Sequence, residues 1–221
     1  MASLLIIGIK KDKIVVRKVS DSSLGFRFGL MYVWHHKLIL SIGIISILPL
    51  IVTQMFNVSS PDYISTVLKS NSVVYGLADM SYGAGGLLAG LITSWLILIF
   101  PNKKIIVNLF ALASLVLFFL YIGRFVLLMY LCTFLLGFSN SALRVVINTV
   151  LMKEVDKSFM GRSTSIWNGI AQFIEIFIST VIGITNDHLG AAFGFLCVFA
   201  IMFVGVFWSL KAIKLETIDG L

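Results

Sequence analysis

The feature that most limits what this chain can fold into is a succession of apolar runs, each near the length needed to cross a membrane. A helix rises 1.5 Å per residue, so about 20 apolar residues cross the roughly 30 Å of a bilayer's hydrocarbon. Six runs meet that requirement: Leu38 to Phe56, Val73 to Phe100, Ile105 to Gly123, Phe125 to Val150, Thr164 to Asn186 and Leu189 to Leu210. The second and fourth exceed it and are expected to tilt or protrude. A hydrophobic content of 59% against 12% charged residues, with a mean hydropathy of +1.03, argues against a water-soluble core. The ten-residue alternation of a membrane β-barrel is absent. The expectation is an all-α integral membrane protein with a six-helix bundle over residues 38–210.

Orientation follows from the basic residues. Of the 17 Lys and Arg, 7 precede or include Lys37, 2 lie at Lys103 and Lys104, 3 between Lys153 and Arg162, and 2 in the C-terminal tail. Those four groups fall on one side of a six-span chain, while Lys69 and Arg124 fall on the other and Arg144 lies within a span. The positive-inside rule then places both termini in the cytoplasm. The net charge of +7 is explained by these connectors, so nucleic acid is not an expected partner. Cys132 and Cys197 sit inside apolar runs without metal-site or disulfide spacing. No metal or cofactor is expected.

Residues 1–9 are apolar and too short to span, and Lys10, Lys11 and Lys13 follow them. That polarity is the reverse of a signal peptide and fits the last turns of a preceding span. A short membrane-touching anchor is the alternative. Residues 10–37 form a basic connector in which Leu24, Phe28, Met31 and Trp34 recur at helical spacing, as in a helix lying on the cytoplasmic face. Residues 211–221 form a cytoplasmic tail.

Three spans carry polar stripes with the same spacing, i, i+4, i+7, i+11. They are Asp79, Gly83, Gly86 and Gly90 in the second span; Gly137, Ser141, Arg144 and Asn148 in the fourth; and Asn168, Gln172, Glu175 and Ser179 in the fifth. An ionised side chain near the bilayer centre costs about 2.5 to 3.5 kcal/mol on insertion scales, so Asp79, Arg144 and Glu175 are expected to face the bundle interior, a watery cavity or one another. Rival roles are a solvated helix end for Asp79 and snorkelling to headgroups for Arg144. Asn168, Gln172 and Asn148 can line a substrate path or tie helices together. Gly83, Gly86 and Gly90 are expected to pack helices closely.

The stretch Tyr75 to Ile92, YGLADMSYGAGGLLAGLI, with Asn148-Thr149 and Met160-Gly161-Arg162, resembles the C-terminal six-helix half of a major facilitator superfamily drug exporter. Within it, the likeness is to the branch of macrolide-efflux and enterobactin exporters. Gly161-Arg162-Ser163 is similar to the loop that opens that family's eleventh helix, and Asp187-His188-Leu189-Gly190 to its D-R-x-G, with His in place of Arg. The loop after the second span, Ile99 to Lys104, departs from the family's pattern in having no acid. The resemblance implies alternating access, a small-molecule substrate near the midplane, proton-driven export across the cell membrane and a partner half of six helices, supplied by a separate chain or by a second copy. Glu175 is the expected proton-coupling carboxylate, because a midplane acid is easier to bury when protonated. The net polarity of the path, two acids offset by Arg144, selects no substrate class.

Two other roles remain open from sequence. The chain could be a self-associating or orphaned half without transport of its own. It could also be a rhomboid-like serine protease, from Gly137-Phe138-Ser139 and His188, although Ser139 lies about 14 residues, or roughly 21 Å, from the outer surface, where His188 sits. The transporter is the expectation, and an enzyme is not.

Overall fold

A computed structural model describes residues 37–154 and 160–219. They form α1 (Lys37–Asp62) with a π-helical turn (Tyr63–Val67) continuing it, α2 (Ser72–Ile99), α3 (Asn102–Ile122), α4 (Val126–Glu154), α5 (Met160–Leu189) and α6 (Ala191–Asp219). Each is long and apolar enough to cross a membrane. The expected all-α six-helix bundle is therefore the fold. The segment 1–9 and the amphipathic connector expected ahead of Lys37 lie outside the described residues.

The first span corrects the sequence-based boundary. Residues 57–67, expected in a loop because of Asn57, Ser59, Ser60, Pro61 and Asp62, continue the helix. Pro61 lacks the amide that would bond the carbonyl four residues back, and the next turn widens, with Leu68 N donating to Tyr63 O at 3.1 Å. Tertiary contacts hold this polar stretch helical. The Tyr63 hydroxyl donates to Leu120 O at 3.0 Å and also to Gly123 O, both at the end of α3. Its ring meets Phe195 of α6 edge-on at 5.0 Å. Asn186 of α5 donates to Ser59 Oγ at 3.2 Å. The connector shrinks to residues 68–71, where Asn71 caps α2 by accepting from Val74 N at 3.3 Å. At the other end of the chain, α6 runs on to Asp219, through most of the expected tail.

The helices pack in a regular scheme. α2 lies along α4 and α5 along α1; α3 contacts α4 and α6 contacts α1; α1 meets α4, and α3 meets α6. Exchanging the triplet α1–α3 with the triplet α4–α6 leaves these pairings unchanged. Three crossings separate the triplets, so they run in opposite senses through the membrane, the inverted repeat of many secondary transporters. Between α5 and α6 the chain reverses at Gly190, whose φ of +88° suits a residue without Cβ.

α2 and α4 approach backbone to backbone. A Cβ at Gly85 would meet the Phe134 carbonyl, and one at Gly137 would meet the Tyr82 carbonyl. The buried face of α2 is Ala78, Gly85, Ala89 and Thr93. Close packing was expected at Gly83, Gly86 and Gly90, yet only Gly86 has a neighbour there, the Ser141 side chain; Gly83 and Gly90 have nothing within 4 Å. Spacing identifies a face of small residues, whereas the direction that face points is set by which neighbour the helix meets.

Candidate functional site

The two flanking helices are the least covered. In α2 and α5 only 17% and 11% of the most apolar stretch is buried, against 33% to 50% in the other four spans. These are also two of the three spans with polar stripes. Between them run α1 and α4, which contact each other and form the floor. Helices α3 and α6 pack behind, with Phe118 of α3 against Phe199 of α6 at 5.5 Å.

Three of the six expected path residues come together. Arg144 and Asn148 of α4 and Asn168 of α5 line one cleft with Ser46 of α1 and with Thr164 and Trp167 of α5. Its volume is about 130 Å³. Helical spacing explains the grouping: Arg144 and Asn148 are one turn apart on α4, as Thr164 and Asn168 are on α5. The Trp167 ring lies so close to α1 that a Cβ at Gly43 would strike it. This contact, made possible by a glycine, seats α5 against α1. Trp167 was assigned no role from sequence, and Ser46 was not singled out at all; a hydroxyl in an apolar run was the only signal.

Asp79, Gln172 and Glu175 do not line that cleft. Asp79 and Gln172 are exposed on the uncovered flanks, and Glu175 is half-buried. The acids and Arg144 therefore do not share one pocket.

A polar node that sequence inspection missed joins three helices. Asn140 of α4 donates to Thr53 Oγ1 of α1 at 2.7 Å and to the Tyr82 hydroxyl of α2 at 2.8 Å. Asn140 is buried, and its Oδ1 has no partner among the described residues. Tyr82 also stacks on Phe56 at 5.5 Å. Neighbouring Ser139 is fully buried and donates to Leu136 O of its own helix at 3.1 Å. A nucleophile must meet its base within about 3 Å; this hydroxyl is turned into its helix, and His188 sits in the last turn of α5.

Inverted three-helix units with polar stripes on their two least covered helices describe one half of a secondary transporter. A family model of the Major Facilitator Superfamily matches residues 42–216. The chain belongs to that superfamily and is a multi-pass membrane protein of a transporter family that carries small-molecule substrates. Comparison with curated proteins finds no match.

Proposed function

We propose that the chain works as half, or as a fragment, of a proton-driven efflux permease for small molecules in the cell membrane, of the macrolide-efflux and enterobactin-exporter branch. The observation that carries this is the coincidence of polarity and exposure: α2 and α5 bear polar stripes and are the least covered spans. A polar helix face turned to lipid is costly. A second six-helix half, from another chain or another copy, covers it and encloses a path between the halves. Gly83 and Gly90, with open space beside them, then offer a surface on which partner helices approach closely.

Within that path Arg144, Asn148, Asn168 and Gln172 contact substrate, and Asp79 and Glu175 handle protons. Glu175 is the coupling carboxylate: if substrate and proton favour opposite cavity-facing states, a pH gradient drives export. The test is pH-gradient-driven uptake into everted vesicles carrying Glu175→Gln. Gradient-driven accumulation should disappear, and full uptake by the variant would remove Glu175 from the mechanism.

A further inference from the structure

The cleft between α1, α4 and α5 has a chemical bias that bears on what the path accepts. Among the described residues, Arg144 is the one charged group in its lining. Asn148 and Asn168 each add an amide with two N–H donors. Arg144, Asn148 and Asn168 have no hydrogen-bond or ion-pair partner among the described residues. Trp167, on the same wall, has an indole N–H that is buried without an acceptor. The Ser46 hydroxyl already donates to Gly43 O at 2.6 Å and can only accept from a ligand. Among the described residues the lining thus carries a surplus of donors and one positive charge without a partner.

Among the described residues, acids on the bordering helices stand away from Arg144 and the two amides. Glu175 is seven residues past Asn168 on α5, about 10 Å along the axis. Glu154 follows Leu151 at the end of the cleft by one turn, but it is ten residues past Arg144 on α4, about 15 Å, and Asp62 is twelve past Leu50 on α1, about 18 Å. Asp79 is on α2, which does not border the cleft.

We propose that this cleft binds an oxyanion, a carboxylate or phosphate, with the Arg144 guanidinium supplying the charge and the Asn148 and Asn168 amides fixing its orientation. Charged donors around an oxyanion make short, strong hydrogen bonds, and a guanidinium can hold two oxygens at once. At about 30 Å³ per water, the volume of about 130 Å³ admits an acidic group and a small ring. The remainder of a larger molecule lies along the α1–α4 floor. The transported molecule is then an organic anion, an assignment that rests on the efflux proposal; a phospholipid headgroup offers the same chemistry from the membrane.

The test uses the 221-residue chain with Trp34, Trp95 and Trp208 changed to Phe, so that Trp167 alone emits, in phosphatidylcholine nanodiscs. 4-Bromobenzoate and 4-bromobenzylamine, similar in size and opposite in charge, serve as heavy-atom quenchers. Bromobenzoate should quench saturably, with at least about tenfold weaker affinity in Arg144→Gln, and bromobenzylamine should not saturate. Asn168→Asp, at an exposed position and nearly isosteric, should lose bromobenzoate binding to a similar extent. Each variant is required to elute as a single monodisperse peak. Equal quenching by both compounds, or unchanged bromobenzoate affinity in both variants, would overturn the proposal.

Phosphatidylglycerol nanodiscs separate the two sources: a rise of about tenfold or more in the bromobenzoate concentration needed supports a headgroup as the resident anion, and an unchanged titration supports a soluble one. Quenching that fails while gradient-driven efflux persists removes only the oxyanion site. Efflux that fails while quenching persists removes only the transport proposal.

Discussion

Asn140 of α4 crosses to α2 and donates to the Tyr82 hydroxyl at 2.8 Å. Because the same amide nitrogen reaches Thr53 of α1 at 2.7 Å, one side chain pins three helices together. Thr53 in turn donates to the Pro49 carbonyl at 2.9 Å, inside the first helix.

Loosening that node should show in stability. Interhelical hydrogen bonds in membranes average about 0.6 kcal/mol and reach about 1.7. Asn140→Ala, Tyr82→Phe and their double variant should therefore give a coupling energy of about 0.5–1.5 kcal/mol in reversible unfolding in mixed micelles. A coupling of zero would mean the pair contributes nothing.

Glycine substitutions on α2 should divide sharply. At Gly85 an added methyl collides with the backbone of α4, which cannot rotate away, so Gly85→Ala should cost about 1–3 kcal/mol. Gly83→Ala and Gly90→Ala, with nothing within 4 Å, should stay within about 0.5 kcal/mol of the parent. Thermal unfolding of the three variants in detergent provides the comparison, and equal losses would contradict the packing described.

Tyr63→Phe removes a hydroxyl that donates to two carbonyls at the end of α3. The ring and its contact with Phe195 remain. The expected cost is about 1–3 kcal/mol, since buried carbonyls lose their donor. Faster amide exchange should be confined to the π-helical turn and the neighbouring end of α3. Exchange spread evenly over the bundle would argue against this local role.

Accessibility tests the proposed path directly. With Cys132 and Cys197 replaced by Ala, Asp79→Cys, Arg144→Cys and Glu175→Cys can each be treated with a small membrane-impermeant thiol reagent. All three should react from an aqueous side, Arg144→Cys from the cytoplasmic side. If all three stay inert while lipid-borne spin labels report acyl-chain contact, no water-filled path exists there.

Much of this architecture was legible in the chain. Apolar length places six spans because the bilayer's thickness is a ruler that composition can be held against. The end of the first span was hidden, since Asn57 to Asp62 is polar and contains Pro61; only the burial of Tyr63 against α3 and α6 explains why the helix continues. The stripes on α4 and α5 anticipated Arg144, Asn148 and Asn168, and the structure joins those three. It leaves Asp79 on another flank, because periodicity fixes residues relative to their own helix and carries no information on neighbours. Asn140 lay unnoticed between Ser139 and Ser141, since its importance comes from Thr53 and Tyr82, 87 and 58 residues away.

The two flanks of the floor are built differently. α2 meets α4 main chain to main chain at Gly85 and Gly137, whereas α5 is seated on α1 through the Trp167 ring over Gly43. Main-chain contact tolerates almost no sliding, while an indole on a glycine can tilt and slip. In mechanical terms the proposed transport cycle would find a stiff wall in α2 and a compliant one in α5, the wall that carries Asn168 and Glu175.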